Sequence, residues 1–203
     1  MSSLPKARFT PEQYLEMERK AERKSEYWNG EIVAMAGGSK QHSLISVNVS
    51  GELRARLKDK PCLTYSSDLR VQVSPTRYFY PDISVVCGEP EFTGEEGDVL
   101  TNPTVLVEVL SPSTEDKDRG IKFAFYRQME TLTDYVMVSQ EEARVEHYAR
   151  QDNNHWLLAD LRGMDTVLHL PSIGCELPLS EVYARVAFPP AAELEERKLE
   201  ERK

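Results

Sequence analysis

Cysteine is scarce in this 203-residue chain, and no two cysteines form a C-x-x-C pair: Cys62, Cys87 and Cys175 stand far apart. That argues against a disulfide framework and against a structural zinc site, so a reduced, cytoplasmic protein is the simple expectation. No run of about 18 apolar residues exists, which rules out a helical membrane span. Residues 1–6 hold no apolar stretch of the kind a secretory signal needs, so none is expected. Basic residues are outnumbered: 34 acidic against 25 basic side chains leave a net charge of −9. A protein that holds nucleic acid with a general basic coat looks different. Residues 191–203 hold five Glu against four Lys or Arg, so the acidity belongs to the folded part. It permits a local basic groove and also a carboxylate cluster that takes a metal. No internal repeat, Walker A loop or Rossmann glycine fingerprint is present. The absence of a G-x-S-x-G elbow sets a serine hydrolase aside.

What remains is a patterned globular chain, read as one domain over residues 1–188 with a charged helical or disordered tail over 189–203. Thr10-Pro11-Glu12-Gln13 opens a helix that runs to about Lys24, with Thr10 and Gln13 forming a capping box. Asn29-Gly30 sets a two-residue hairpin turn between residues 25–28 and 31–35. Ser39 caps a helix over roughly 40–59. Strands then follow at 68–73, 80–87 and 104–110, a helix at about 118–131, strands at 135–139, 144–149, 155–161 and 173–177, and a short helix near 179–184. Residues 80–87 and 104–110 are dense apolar runs, as in central strands covered on both faces. The order implies an α/β or α+β fold, with a mixed central sheet flanked by helices.

Two acids interrupt the dense strands. Asp82 shares a face with Ser84, and Glu108 shares one with Leu106 and Leu110. A lone carboxylate in such a run is costly to bury, so each needs a cation, a donor or a metal. Two acids on neighbouring strands can share one hard divalent cation through oxygen ligands. On the following helix, at 100° per residue from Ile121, Lys122 falls at about 100°, between Met129 and Tyr126 in the apolar arc. An inward lysine after an acid-bearing strand can reach back to the two acids and hold an anionic transition state. The ordinary readings are a strand-entry acid for Asp82 and a lysine stem snorkelling along its helix for Lys122.

These residues, in this order, resemble a known family. Pro81-Asp82 followed 26 residues later by Glu108-x-Leu110 resembles the PD-(D/E)XK nuclease motif, with Leu110 at the usual lysine position. Residues 80–86, then Val107-Glu108-Val109-Leu110-Ser111-Pro112-Ser113-Thr114, then Lys122 and Tyr126, look like the Uma-type branch of restriction-endonuclease-like proteins. The likeness covers roughly residues 9–184. It implies a restriction-endonuclease-like core and a metal-dependent endonuclease acting on DNA. Asp82 and Glu108 would hold Mg²⁺ or Mn²⁺, and Lys122 would be a catalytic lysine moved from strand to helix.

Glu26, in a segment that also resembles the family, is a candidate third acid, though it can pair with Arg23. His42, on a stripe with Ile45, Val49 and Leu53, Asp68 at a strand start, and Leu110 are candidate site-lining positions. His147, His155 and His169 show no ligand spacing and are read as structural. Arg54, Arg56, Lys58 and Lys60 crowd a helix end, either as favourable C-terminal charge or as a phosphate-contacting patch. No membrane partner is expected, and a homodimer is allowed. The competing function is a nuclease-like binding or assembly module with weak or no catalysis, which the missing strand lysine and the acidic balance favour. A metal-dependent phosphodiesterase for a small substrate is a third reading.

Overall fold

Thr10 closes the expected capping box on α1 (Pro11–Arg19): its hydroxyl accepts from the Gln13 N–H, and the Gln13 side chain accepts from the Thr10 N–H. The computed structural model describes residues 8–112 and 114–190, so the expected tail lies outside the described residues from 191 onward. α1 ends five residues before Lys24. Glu18 there accepts the Ser25 N–H at 2.8 Å and the Tyr80 hydroxyl at 3.1 Å, which turns the chain into the sheet. Asn29 and Gly30 both take positive φ, 48° and 99°, giving the expected hairpin between β1 (Ser25–Trp28) and β2 (Glu31–Ala34). Ser39 accepts the His42 N–H at 3.0 Å and starts α2 (Lys40–Leu57).

The main sheet has the order β12-β11-β10-β9-β6-β3. Its strands are β3 (Cys62–Ser66), β6 (Ile83–Cys87), β9 (Val105–Leu110), β10 (Asp134–Ser139), β11 (Arg144–Arg150) and β12 (Trp156–Arg162). All six residues of β9 are buried, as the dense apolar run requires. β9 pairs parallel with β10 and antiparallel with β6. A second sheet runs β2-β1-β5-β4-β8-β7, adding β4 (Arg70–Ser74), β5 (Arg77–Phe79), β7 (Phe92–Thr93) and β8 (Val99–Leu100). A small hairpin, β13 (Val167–Leu170) with β14 (Cys175–Pro178), and α5 (Leu179–Val182) complete the described chain.

The strand period decides which core each β9 residue enters. Val105, Val107 and Val109 pack with Ile45, Val49, Leu53 and Leu57 of α2. Leu106 and Leu110 point the other way, to Phe79, Phe123 and Tyr126. Glu108 shares their parity and is carried to that second face.

Three expectations need correction. The helix expected at 118–131 is instead α3 (Glu115–Lys117), a π-turn over Asp118–Lys122, and α4 (Phe123–Tyr126). The extra residue in the π-turn resets the helical phase, so Ile121 is 48% exposed while Lys122 turns inward. The strands β5, β7, β8 and β13 were not expected, because short strands are selected by their pairing partners rather than by their own pattern. Finally, Cys62 and Cys87 are direct cross-strand partners on β3 and β6, 4.0 Å apart at Cα, and form a disulfide. Register brings them together, and register is not visible in a 25-residue separation. Cys175 is free and buried. Among the described residues no helix is long and apolar enough to cross a membrane.

Candidate functional site

Glu108 enters the second core on β9 and cannot remain there alone. Its Oε1 accepts from Lys122 Nζ at 3.2 Å and from the Tyr126 hydroxyl at 2.9 Å. Lys122 in turn lies 2.9 Å from Glu26 and 3.2 Å from Asp118. The four charged side chains are all nearly inaccessible: Glu26 7%, Glu108 4%, Asp118 2% and Lys122 6% exposed. They come from three local arrangements, β9, β1 and the π-turn. Glu26 stands on β1 of the second sheet, with its Oε2 held by the Trp28 indole N–H at 3.1 Å. Asp118 and Lys122 sit four residues apart on the π-turn, whose Asp118 carbonyl accepts from the Tyr135 hydroxyl at 3.1 Å.

Asp82 stands one residue before β6. The pairing Ser84↔Leu106 and Ile83↔Val107, continued by one step, sets it opposite Glu108. Directly opposed residues of an antiparallel pair have Cβ atoms about 4.5–5.5 Å apart. Asp82 Oδ2 accepts the Val109 N–H at 2.7 Å, acting as a ladder acceptor just past the end of β6. The same oxygen lies 3.2 Å from His42 Nε2, which reaches it from the first turn of α2.

Charge in this cluster is out of balance. Four carboxylates, Glu26, Asp82, Glu108 and Asp118, face one ammonium and one imidazole. Burial pushes the Glu108 carboxyl well above the usual range; Lys122 opposes that, while Asp118, Asp82 and Glu26 push further up. Burial works against the charge on Lys122, but Glu108, Glu26 and Asp118 overcompensate and hold its pKa well above the ordinary lysine value. Burial and the Glu108 charge likewise raise the Tyr126 hydroxyl, keeping it a donor. The hydrogen bond to Asp82 raises the His42 pKa against the effect of its own burial.

These groups line one cavity of about 530 Å³, shared by Glu26, His42, Asp82, Glu108, Asp118 and Lys122. Its donors are hard oxygens with surplus negative charge, the chemistry that suits Mg²⁺ or Mn²⁺. Among the described residues, no three His, Cys, Asp or Glu side chains form a ready-made metal-ligating group. The Lys122 ammonium stands where Glu26, Glu108 and Asp118 converge. The residues therefore fit a cation bound at Asp82 and Glu108 with water completing its shell, since Mg²⁺ commonly keeps several waters.

Of the residues singled out in the sequence, Asp82, Glu108, Lys122, Glu26 and His42 meet around this cavity. Asp68 does not line it. It sits on the turn before β4 with its side chain largely exposed, paired to Lys24 at 2.9 Å, so the strand-start signal was only that of a turn acid. Leu110 packs in the apolar core with Leu106 and Phe123 rather than on the cavity wall. His147 pairs with Asp134 at 2.6 Å and His169 with Glu176 at 3.0 Å, both away from the cluster. Asp118 and the Tyr126 hydroxyl join the Lys122–Glu108 cluster in the structure, and neither is among the candidate site residues named from the sequence. The i, i+4 spacing of Asp118 and Lys122 was the available signal.

The comparisons with known proteins agree with one another. Residues 11–180 match the Uma2 family, described as "Putative restriction endonuclease". Two uncharacterised proteins of Synechocystis sp. (strain ATCC 27184 / PCC 6803 / Kazusa) are each 38% identical. The match to slr1290 spans 187 residues, 92% of this chain and 97% of that protein. The match to sll1609 spans 155 residues, 76% of this chain and 88% of that protein. A crystal structure from Anabaena variabilis ATCC 29413, described as "a putative nuclease belonging to DUF820", superposes with a TM-score of 0.73. It is 19% identical and covers 88% of this chain and 99% of its own, which establishes a shared fold.

Proposed function

This chain belongs to the Uma2 family, and we propose that it is a metal-dependent endonuclease of the PD-(D/E)XK type that hydrolyses phosphodiester bonds in DNA. The observation that carries the reading is the buried set of Glu26, Glu108 and Asp118 around Lys122, open to a cavity that also holds Asp82. Buried charge of this density is expensive and is a functional-site signature. Asp82 and Glu108 would hold Mg²⁺ or Mn²⁺. Such an ion supplies charge neutralisation at the scissile phosphate and activation of the attacking water.

The chain's own groups do the rest. Tyr126 donates to Glu108 and fixes its orientation. The Val109 N–H and His42 do the same for Asp82. Lys122 presents a permanent positive charge, the electrostatic stabiliser that a pentavalent phosphate needs. Glu26 and Asp118 hold that ammonium in place. His42, with its proton held by Asp82, lies at the cavity wall, where it can give or take a proton at a departing oxygen.

The second reading, a binding or assembly module that keeps the fold without efficient cleavage, has one observation in its favour. Lys122 already occupies the space among three carboxylates, and the described residues offer no preset three-ligand group. The two readings separate in one experiment. Labelled single- and double-stranded oligonucleotides are incubated with the protein in Mn²⁺, Mg²⁺ or EDTA, and Mn²⁺ binding is followed by calorimetry. The nuclease reading expects Asp82→Asn and Glu108→Gln to abolish cleavage and weaken Mn²⁺ binding. It expects Lys122→Ala to slow cleavage about 10²-fold or more while Mn²⁺ still binds. Cleavage in no metal, with equal Mn²⁺ binding by the wild type and both acid variants, returns the protein to the module reading.

A further inference from the structure

The carboxylate cavity does not end at Asp82. It opens into a groove of about 1070 Å³ and shares with it the wall formed by Met35, Ala36, Gly37, Gly38, His42 and Asp82. The groove follows the outer side of α2 to Gly51 and Arg54. From there a further depression of about 580 Å³, sharing Gly51 and Arg54, leads on to Lys58 and Tyr65.

Three features of this track point to one kind of occupant. The first is charge. The protein carries −9, yet Arg23, Lys24, Arg54 and Lys58 all line the track, against Glu22 and Asp82. Lys24 spends part of its charge on Asp68, while its ammonium stays beside the Ser67 carbonyl on the groove wall. The second is shape. α2 buries Ile45, Val49, Leu53 and Leu57, and the outer face of such a helix normally carries long charged side chains. Here the stretch beside the groove carries Ser43, Ser46, Val47, Ser50 and Gly51, which leave room; Ser46 donates to the His42 carbonyl, so Ser43 and Ser50 are the hydroxyls turned to the groove. A glycine within a helix is less favourable than an alanine would be. A Cβ added at Gly51 would meet nothing within 4 Å, so packing inside the molecule does not require it. The third is length. From His42 to Lys58 the helix rises about 24 Å, on the order of seven phosphates of a B-form strand at 3.4 Å each.

We propose that this track seats one strand of the DNA, its phosphates against Arg23, Arg54, Lys58 and the α2 hydroxyls, and delivers it to the Asp82–Glu108 end. The inference rests on the nuclease reading for its choice of polyanion, but its test does not need cleavage. The phosphates leave the carboxylate cavity along α2, and the four cations replace the general basic coat that the sequence lacks. Ser and Gly along the middle admit the strand, and Arg54 and Lys58 grip it at the far end. The positive charge at the end of α2 thus serves both the helix dipole and the ligand.

The test is fluorescence anisotropy of labelled DNA, single-stranded and duplex, in EDTA so that nothing is cut. Arg54→Glu/Lys58→Glu is compared with Arg127→Glu/Arg162→Glu, which makes the same charge change outside the track. Ser50→Trp fills the groove without changing charge. The expected result is a Kd raised about tenfold or more by the groove pair and by Ser50→Trp, with little change in the control pair. Equal weakening by both charge pairs, no effect of Ser50→Trp, or no binding by the wild type overturns the track. Parallel cleavage assays in Mn²⁺ keep the two claims apart. A wild type that binds through the groove but never cuts leaves the track standing and removes the nuclease. A wild type that cuts, with groove variants as fast at limiting substrate, removes the track and leaves the nuclease.

Discussion

At the scale of single residues, Lys122 is the hinge of the account. It stands within 3.2 Å of three buried carboxylates, so its loss strands like charges in a desolvated place. Lys122→Met is expected to destabilise the metal-free protein by about 3–5 kcal/mol, measured by urea unfolding in EDTA, since removing one partner of a buried pair leaves uncompensated charge. Glu108→Gln acts in the other direction. The raised Glu108 pKa means that its ionised form is disfavoured in the fold, so neutralising it should leave metal-free stability unchanged or higher. Added Mn²⁺ should then raise the Tm of the wild type and not of Glu108→Gln. A different carboxylate contributes stability that acid removes. Asp98 is bound by Arg19 and Arg70; partial burial pushes its carboxyl up, but the two guanidiniums win and hold it below its ordinary value of 3.8. A depressed carboxylate contributes stability that is present above its unfolded pKa and is lost as pH falls through the lower, folded one. Asp98→Asn should therefore be less stable than the wild type at pH 5, and the gap should close as pH falls below 3.8 and through the lower folded value of Asp98.

At the scale of elements, the π-turn over Asp118–Lys122 sets the phase of the site. Deleting the exposed Gly120 removes one residue between Asp118 and Lys122 and changes their angular offset by about one helical step of 100°, which shifts Lys122 relative to the acids it meets. The deletion variant should keep its circular dichroism and its Mn²⁺-dependent rise in Tm, since Asp82 and Glu108 lie off the turn, but should cleave about 10²-fold more slowly, as Lys122→Ala does; unchanged cleavage would mean that the turn is incidental. The same turn marks the limit of what the sequence could tell. Thr10 with Gln13, Asn29-Gly30 and Ser39 are signals whose partners lie within a few residues, and the structure uses each one as read. A helical wheel assumes one unbroken phase, so it put Lys122 inward beside Ile121, when the π-turn buries only Lys122. The Cys62–Cys87 bond and the pairings of β1 with β5 and of β4 with β8 join segments distant in the chain, which no local pattern encodes.

At the scale of the whole molecule, the candidate site was legible where chemistry conflicted with surroundings. Asp82 and Glu108 stood out because carboxylates interrupt apolar strands, and Lys122 because it fell on an apolar arc. Asp118 did not stand out, since an acid near a helix start is an ordinary sight. Asp68 misled for the same reason. Arg54 and Lys58 showed in the sequence as part of a basic helix end, but the net charge of −9 concealed that Arg23 and Lys24 join them along one track, because a sum over the chain carries no positions. If those four cations meet phosphates, log K for duplex DNA should fall with log salt at a slope of about −3 to −4. A slope near zero would mean no phosphate contacts. The central claim is that these acids, on this fold, cut DNA with a divalent metal. The most direct measurement is the rate of supercoiled plasmid nicking against Mn²⁺ concentration, for wild type and Glu108→Gln purified side by side so that a contaminating nuclease appears in both. The account predicts metal-dependent nicking by the wild type, abolished by EDTA and absent from Glu108→Gln. Equal nicking by the two proteins, or none by the wild type at any metal concentration, would contradict it.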